Sequence, residues 1–153
     1  MLYTIGEMAL RLGITPSTLR YYDKEGLLPF VERTEGGIRN FREEHFEWLA
    51  IIISLKESGM PIKEIRQFID FCLKGDETIH ERLSLIDKQR ESVLEQMKQL
   101  NLSLHVLDYK HWYYSTAKKA GTCEVPDNMP LADIPAEFHD IVNNFESICS
   151  RIL

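Results

Sequence analysis

The sequence predicts a mainly α-helical fold: a winged helix-turn-helix, a long dimerisation helix and a short helical tail. Three observations carry this. Two short segments with apolar residues at helical spacing flank Gly13. Two segments that tolerate extended geometry meet at Gly36-Gly37. A heptad of apolar residues then runs from Ile79 to Leu107. The expected parts are residues 1–75, 76–116 and 117–153.

The first helix is announced by Thr4 and Glu7, spaced as a capping box, with Ile5, Met8, Ala9 and Leu12 on one face. Gly13 stands where a helix terminator belongs, and Thr15-Pro16 reads as the N-cap and first position of a second helix. That helix turns Leu19 and Tyr22 inward and stops near Gly26. Two short helices across a glycine turn form a helix-turn-helix. Residues 30–34 and 38–41 read as the strands of a hairpin wing. Phe46, Leu49, Ala50 and Ile53 mark the next helix. Pro61 opens another, carrying Ile62, Ile65, Ile69 and Cys72.

Thr78 and Glu81 repeat the capping-box spacing at the start of a long helix. Along it Ile79, Leu83, Ile86, Val93, Met97, Leu100, Leu104 and Leu107 alternate at steps of four and three, with Arg90 and His111 as polar interruptions. A helix over 78–114 is about 55 Å long, and a chain of this size has no way to bury such a seam alone. The seam calls for a partner. In the tail, Phe138, Ile141, Val142, Phe145, Ile148 and Ile152 form another helical stripe that must dock onto the rod or onto a partner subunit.

Composition bounds the function. A charged share of 27% and a hydrophobic share of 44% belong to an ordinary globular chain. No apolar run has the length of a membrane span, and the first residues carry no basic leader, so the expected address is cytoplasmic and no membrane partner is expected. Three widely spaced cysteines, Cys72, Cys123 and Cys149, fit reduced thiols. The net charge of −6, taken over the whole chain, disfavours nucleic acid. However, residues 1–74 hold ten Lys/Arg against eleven Asp/Glu, and residues 75–153 hold eight against thirteen. The acidity lies mostly in the second half, which leaves the first half free to present a basic face.

A winged helix-turn-helix places its second helix in the major groove. Thr15, Ser17, Thr18, Arg20 and Tyr21 on that helix suit phosphates and base edges. Arg20 has the fork geometry for guanine O6 and N7, while Thr15, Thr18 and Tyr21 are hydroxyl donors for phosphates. Arg39 on the wing reaches the minor groove or its rim.

Tyr3-Thr4-Ile5-Gly6-Glu7, Thr18-Leu19-Arg20-Tyr21-Tyr22-Asp23, Gly26-Leu27-Leu28-Pro29, Gly37-Ile38-Arg39-Asn40-Phe41 and Gly59-Met60-Pro61-Ile62-Lys63-Glu64-Ile65 follow one another in order. In these motifs the first half of the chain resembles the MerR family of bacterial transcriptional regulators. The resemblance implies an antiparallel coiled-coil homodimer on double-stranded promoter DNA, with RNA polymerase nearby and control through twisting or bending of a promoter spacer. It puts Arg20 and Tyr21 at the DNA, Thr18 on the backbone, Arg39 at the wing arginine and Lys63 near a phosphate at a helix N-terminus. Phe41 is carried over with the wing. The family usually has a tyrosine there, an aromatic where Ile38 stands and a Ser or Thr helix cap where Arg42 stands.

No convergent soft ligands stand out, so neither a metal site nor a cofactor is expected. Trp112, Tyr113 and Cys123 are the candidates for sensing an effector, either a small molecule or a thiol-reactive inducer; Cys123 lies beside Lys118 and Lys119. No catalytic motif is present, so an enzyme is not expected. The rival reading is a coiled-coil protein-interaction adaptor whose winged domain does not bind DNA.

Overall fold

The computed structural model of the chain describes residues 2–37 and 39–150, the side chains of 145–150 excepted. The elements of the first part are β1 (Leu2–Tyr3), α1 (Ile5–Arg11), α2 (Pro16–Lys24), β2 (Glu32–Arg33), β3 (Arg39–Arg42), α3 (His45–Glu57) and α4 (Ile62–Lys74). A 3-10 turn at Asp76–Thr78 leads into α5 (Ile79–Ala120), followed by α6 (Glu124–Asp127) and α7 (His139–Ser150). They form two compact units, Met1–Val93 and Leu94–Leu153, whose boundary falls within α5.

In the first unit the capping box at α1 is made. Thr4 Oγ1 accepts from the Glu7 amide at 3.2 Å, and the Thr4 amide donates to Glu7 Oε2 at 2.7 Å. Gly13, at φ 69°, lets the chain reverse, and the Ile14 amide bonds back to the Ala9 carbonyl at 3.0 Å. Thr15 caps α2 with Pro16 at its first position. Met8, Ala9, Leu19, Tyr22, Leu27, Phe41, Leu49, Ile52, Ile65 and Ile69 close the core, and Ile5, Leu12, Phe46, Ile53 and Ile62 pack around it. On α3 the fully buried positions are Leu49 and Ile52, with Phe46 and Ile53 of the expected face packed at their side.

The wing is a three-stranded sheet in the order β1-β3-β2. β3 pairs antiparallel with β2 (Glu32↔Asn40, Arg33↔Arg39) and with β1 (Leu2↔Arg42, Tyr3↔Phe41). β1 is an addition to the expected hairpin. Tyr3 anchors it: its hydroxyl donates to Glu43 Oε2 at 2.6 Å, and Arg11 Nη1 reaches the same oxygen at 2.7 Å. Arg11 and the Tyr3 hydroxyl hold the Glu43 carboxyl down to about 2.

At α3 no side chain caps the Glu44 position. Instead the ring of buried His45 turns back, and its Nδ1 accepts from the Arg42 amide at 3.1 Å. Burial lowers the His45 pKa, which suits an imidazole that must keep Nδ1 as an acceptor. The helix start therefore has no side-chain cap, and His45 instead satisfies the Arg42 amide ahead of it.

The start of α5 corrects a second expectation. Thr78 does not cap it; its hydroxyl donates to the Phe71 carbonyl, with Gly75 O 3.0 Å away. Arg82 Nη2 donates to Gly75 O at 3.0 Å, and buried Gln89 donates from Nε2 to Ser58 O at 2.6 Å. These bonds fix α5 against the C-termini of α3 and α4. The helix also runs past the expected 116 to Ala120, where Gly121 at φ 76° ends it.

In the second unit Ile134, Phe138 and Ile141 are buried against Val106, Tyr109 and Trp112 of α5. The first residues of the tail stripe, Phe138 and Ile141, therefore dock onto their own chain's long helix. Val142 is 39% exposed, and the stripe's remaining residues, Phe145, Ile148 and Ile152, lie outside the described side chains, as does Cys149.

Candidate DNA interface

α2 has one face in the core and the other in solvent. Leu19 and Tyr22 are buried while Thr15, Ser17, Arg20 and Tyr21 are exposed and Thr18 is half-buried. The helical period makes this division: residues 19 and 22 share one side, and 17, 20 and 21 the other. Thr15 Oγ1 accepts from the Thr18 amide at 3.1 Å and lies 2.9 Å from Thr18 Oγ1. Each hydroxyl has one proton, so the pair uses one between them and leaves the other for an outside acceptor.

Lys63 is exposed at the second position of α4, where no side chain caps the Pro61 position. The helix therefore begins with amides that lack intrahelical partners beside a cation, a combination suited to a phosphate.

The wing departs from the sequence reading at two positions. Phe41 is fully buried, so it is a core residue and not a DNA contact. Its alternation on β3 is the reason: Arg42 beside it is exposed, and Phe41 faces the helices. Arg39 is not extended into solvent either. Its Nε donates to Asp23 Oδ2 at 2.9 Å and its Nη2 reaches the same oxygen, while Arg33 Nη2 joins them at 2.7 Å. Asp23 and Arg33 were missed as wing-organising residues. No turn signal gives this register: the hairpin sets Arg33 opposite Arg39, and Asp23 reaches both from α2. Ile38 lies outside the described residues.

The seam residues of α5 are apolar and in water in the single chain. Ile79, Leu83, Met97, Leu100, Leu104 and Leu107 are 53–69% exposed, and Ile86 and Val93 are half-buried. In the second unit Trp112 lines a cavity of about 640 Å³ with His105, Asp108, His111, Glu137 and Phe138. Tyr113 points elsewhere: its hydroxyl donates to Asp127 Oδ1 at 2.6 Å, and that carboxylate raises the phenol pKa. Cys123 is exposed at the start of α6. Among the described residues no cluster of His, Cys, Asp or Glu is arranged to hold a metal ion, and no helix is long and apolar enough to cross a membrane.

The chain matches "MerR HTH family regulatory protein" over residues 3–72 and "MerR, DNA binding" over residues 46–109. It is 42% identical over 130 residues to an uncharacterised HTH-type transcriptional regulator of Haemophilus influenzae, covering 85% of this chain and 96% of that one. Among solved structures it is similar to HiNmlR, a MerR family regulator lacking the sensor domain and bound to promoter DNA. There the identity is 43% and the TM-score 0.70, over 81% of this chain and 98% of that one. A MerR family transcriptional regulator from Bacillus thuringiensis matches at 44% identity and TM-score 0.65, over 72% of this chain and 96% of that one. A helix-turn-helix with a polar outer face, a wing and a long seam-bearing helix thus come together with close kinship to regulators, one of them solved on promoter DNA. The chain belongs to the MerR family and is a DNA-binding transcriptional regulator, not an enzyme.

Proposed function

We propose that the chain acts as a cytoplasmic homodimer that binds a pseudo-palindromic promoter site and distorts the spacer beside RNA polymerase. The exposed face of α2 carries this reading. Arg20 reads a guanine edge; Thr15, Ser17, Thr18 and Tyr21 hold the backbone; Lys63 with the α4 N-terminus takes a phosphate. Arg39 orients the wing through Asp23. The α5 seam pairs antiparallel with its copy and so sets the half-site spacing, as a two-fold dimer does. Support for the dimer is energetic: each seam side chain is worth roughly 1.5–3 kcal/mol when buried. Spacer distortion costs deformation energy that the contacts must recover.

The signal enters through the second unit. HiNmlR, described as lacking the sensor domain, is covered almost whole by a match that leaves about a fifth of this chain over. The cavity beside Trp112 suits a small molecule, and exposed Cys123 suits a thiol-reactive inducer. Anisotropy titration of a duplex selected by the protein from a random pool, across a salt series, tests the central reading. A linear fall of log K with log salt and a preference over a scrambled duplex are expected. Binding of neither duplex, even at low salt, would favour the adaptor.

A further inference from the structure

We propose that Asp23 is a specificity-determining positioning residue, an internal stand-in for a DNA phosphate that keeps one of the wing's two positive charges in reserve. Arg33 and Arg39 are directly opposed across β2 and β3. Like charges so placed repel, and nothing in the pairing of the two strands relieves it. Relief comes from α2. A single oxygen of Asp23, Oδ2, accepts from Arg33 Nη2, Arg39 Nε and Arg39 Nη2. The Asp23 side chain is only 13% exposed, so its charge is placed where it acts on the arginines and not on solvent.

The two arginines are not equivalent in this arrangement. Arg39 makes two of the three bonds and is 23% exposed, whereas Arg33 makes one and is 52% exposed. Arg39 therefore ties the wing to the last full turn of the recognition helix. Arg33 is the cation that an outside phosphate can share. With Asp23 present the trio offers DNA a net charge of +1; without it the wing offers two unneutralised arginines to any duplex. Asp23 thus restrains sequence-independent attraction while fixing where the wing stands relative to α2. The consequence is selectivity: less of the affinity comes from backbone contacts, which carry no sequence information, and more from base contacts.

The test uses the full-length protein, a duplex selected from a random pool by the unsubstituted chain, and a scrambled duplex of equal length. D23N should bind the scrambled duplex several-fold more tightly at low salt. Its salt slope should steepen by about 1 per wing engaged, as one further phosphate is neutralised. Preference for the selected duplex should fall by about tenfold. R33Q should do the reverse on the scrambled duplex, flattening the slope by about 1, and D23E should stay close to the parent. A D23N protein with parental circular dichroism and an unchanged or flatter slope overturns the proposal. If D23N does not fold, R33Q decides: an unchanged slope overturns the proposal and a flatter one upholds it. Loss of all DNA binding in the unsubstituted chain would instead refute the DNA-binding reading itself, which makes the two failures distinct.

Discussion

The two units treat apolar surface in opposite ways. In Met1–Val93 large side chains such as Met8, Leu19, Phe41 and Ile65 are fully buried by elements of the same unit. In Leu94–Leu153 the core is the small group Ile134, Phe138 and Ile141, while Leu100 and Leu107 stand 69% and 64% exposed. The first unit closes a full core, although Ile79 and Leu83 at the head of the seam stay 55% exposed; the second closes a smaller one and leaves most of its seam in water. The helix-turn-helix unit thereby has a large core of its own, and the unit that carries most of the seam leaves apolar surface open.

The sharpest way to break this contrast is to charge the seam. Leu100→Glu with Leu107→Glu should convert a dimer of twice 17.9 kDa to a monomer in light scattering, since each buried seam residue contributes roughly 1.5–3 kcal/mol. The far-ultraviolet dichroism should survive. If the doubly charged protein stays dimeric, the seam is not the interface. The next largest effect is a core truncation. Phe41→Ala should lower unfolding stability in urea by about 3–5 kcal/mol. Phe138→Ala should cost less, because fewer buried neighbours surround it. Equal losses would erase the difference between the units.

Local signals were legible and shared ones were not. Thr4 with Glu7 and Thr15 with Pro16 made their caps because every partner of those side chains lies within three residues. Thr78 with Glu81 has the same spacing, but carbonyls of Phe71 and Gly75 claimed the hydroxyl, and no sequence window around Thr78 shows that competition. β1 is two residues long, too short to have a period, and exists only because β3 offers it an edge. Phe41 was misplaced because the motif marks it as wing, whereas its burial depends on which strand face meets the helices. The polar face of α2 was legible because Leu19 and Tyr22 fixed the inward side. Asp23 was not, since its partners lie ten and sixteen residues away.

Smaller effects sharpen the comparison further. Arg20→Ala should reduce discrimination between the selected and scrambled duplexes by about 1–3 kcal/mol per half-site, with little change in unfolding stability. Uniform weakening on both duplexes would make Arg20 a backbone contact. The smallest effect is on pH dependence. Burial lowers the folded-state pKa of His45, so its contribution is fully present above the unfolded value near 6.5 and is lost as pH falls through the lower folded value. Urea midpoints between pH 8 and 5 should fall on the acid side. His45→Phe should flatten that part of the profile while destabilising the protein at pH 8, where the Arg42 amide loses its acceptor. An unaltered profile in the variant would assign the acid sensitivity to other groups.

The joint at the start of α5 has an evolutionary consequence. Thr78, Arg82 and Gln89 all donate to main-chain carbonyls, those of Phe71, Gly75 and Ser58. A carbonyl survives any substitution of its side chain, whereas a donor does not survive replacement by an alanine. Mutational tolerance at this joint is therefore one-sided: Ser58 and Phe71 are free to drift without erasing their half of the bond, and three donor positions bear the constraint. In a mutational scan, intolerance should concentrate on the α5 side, and the register of the long helix is inherited through those few residues while the helices it rests on diverge.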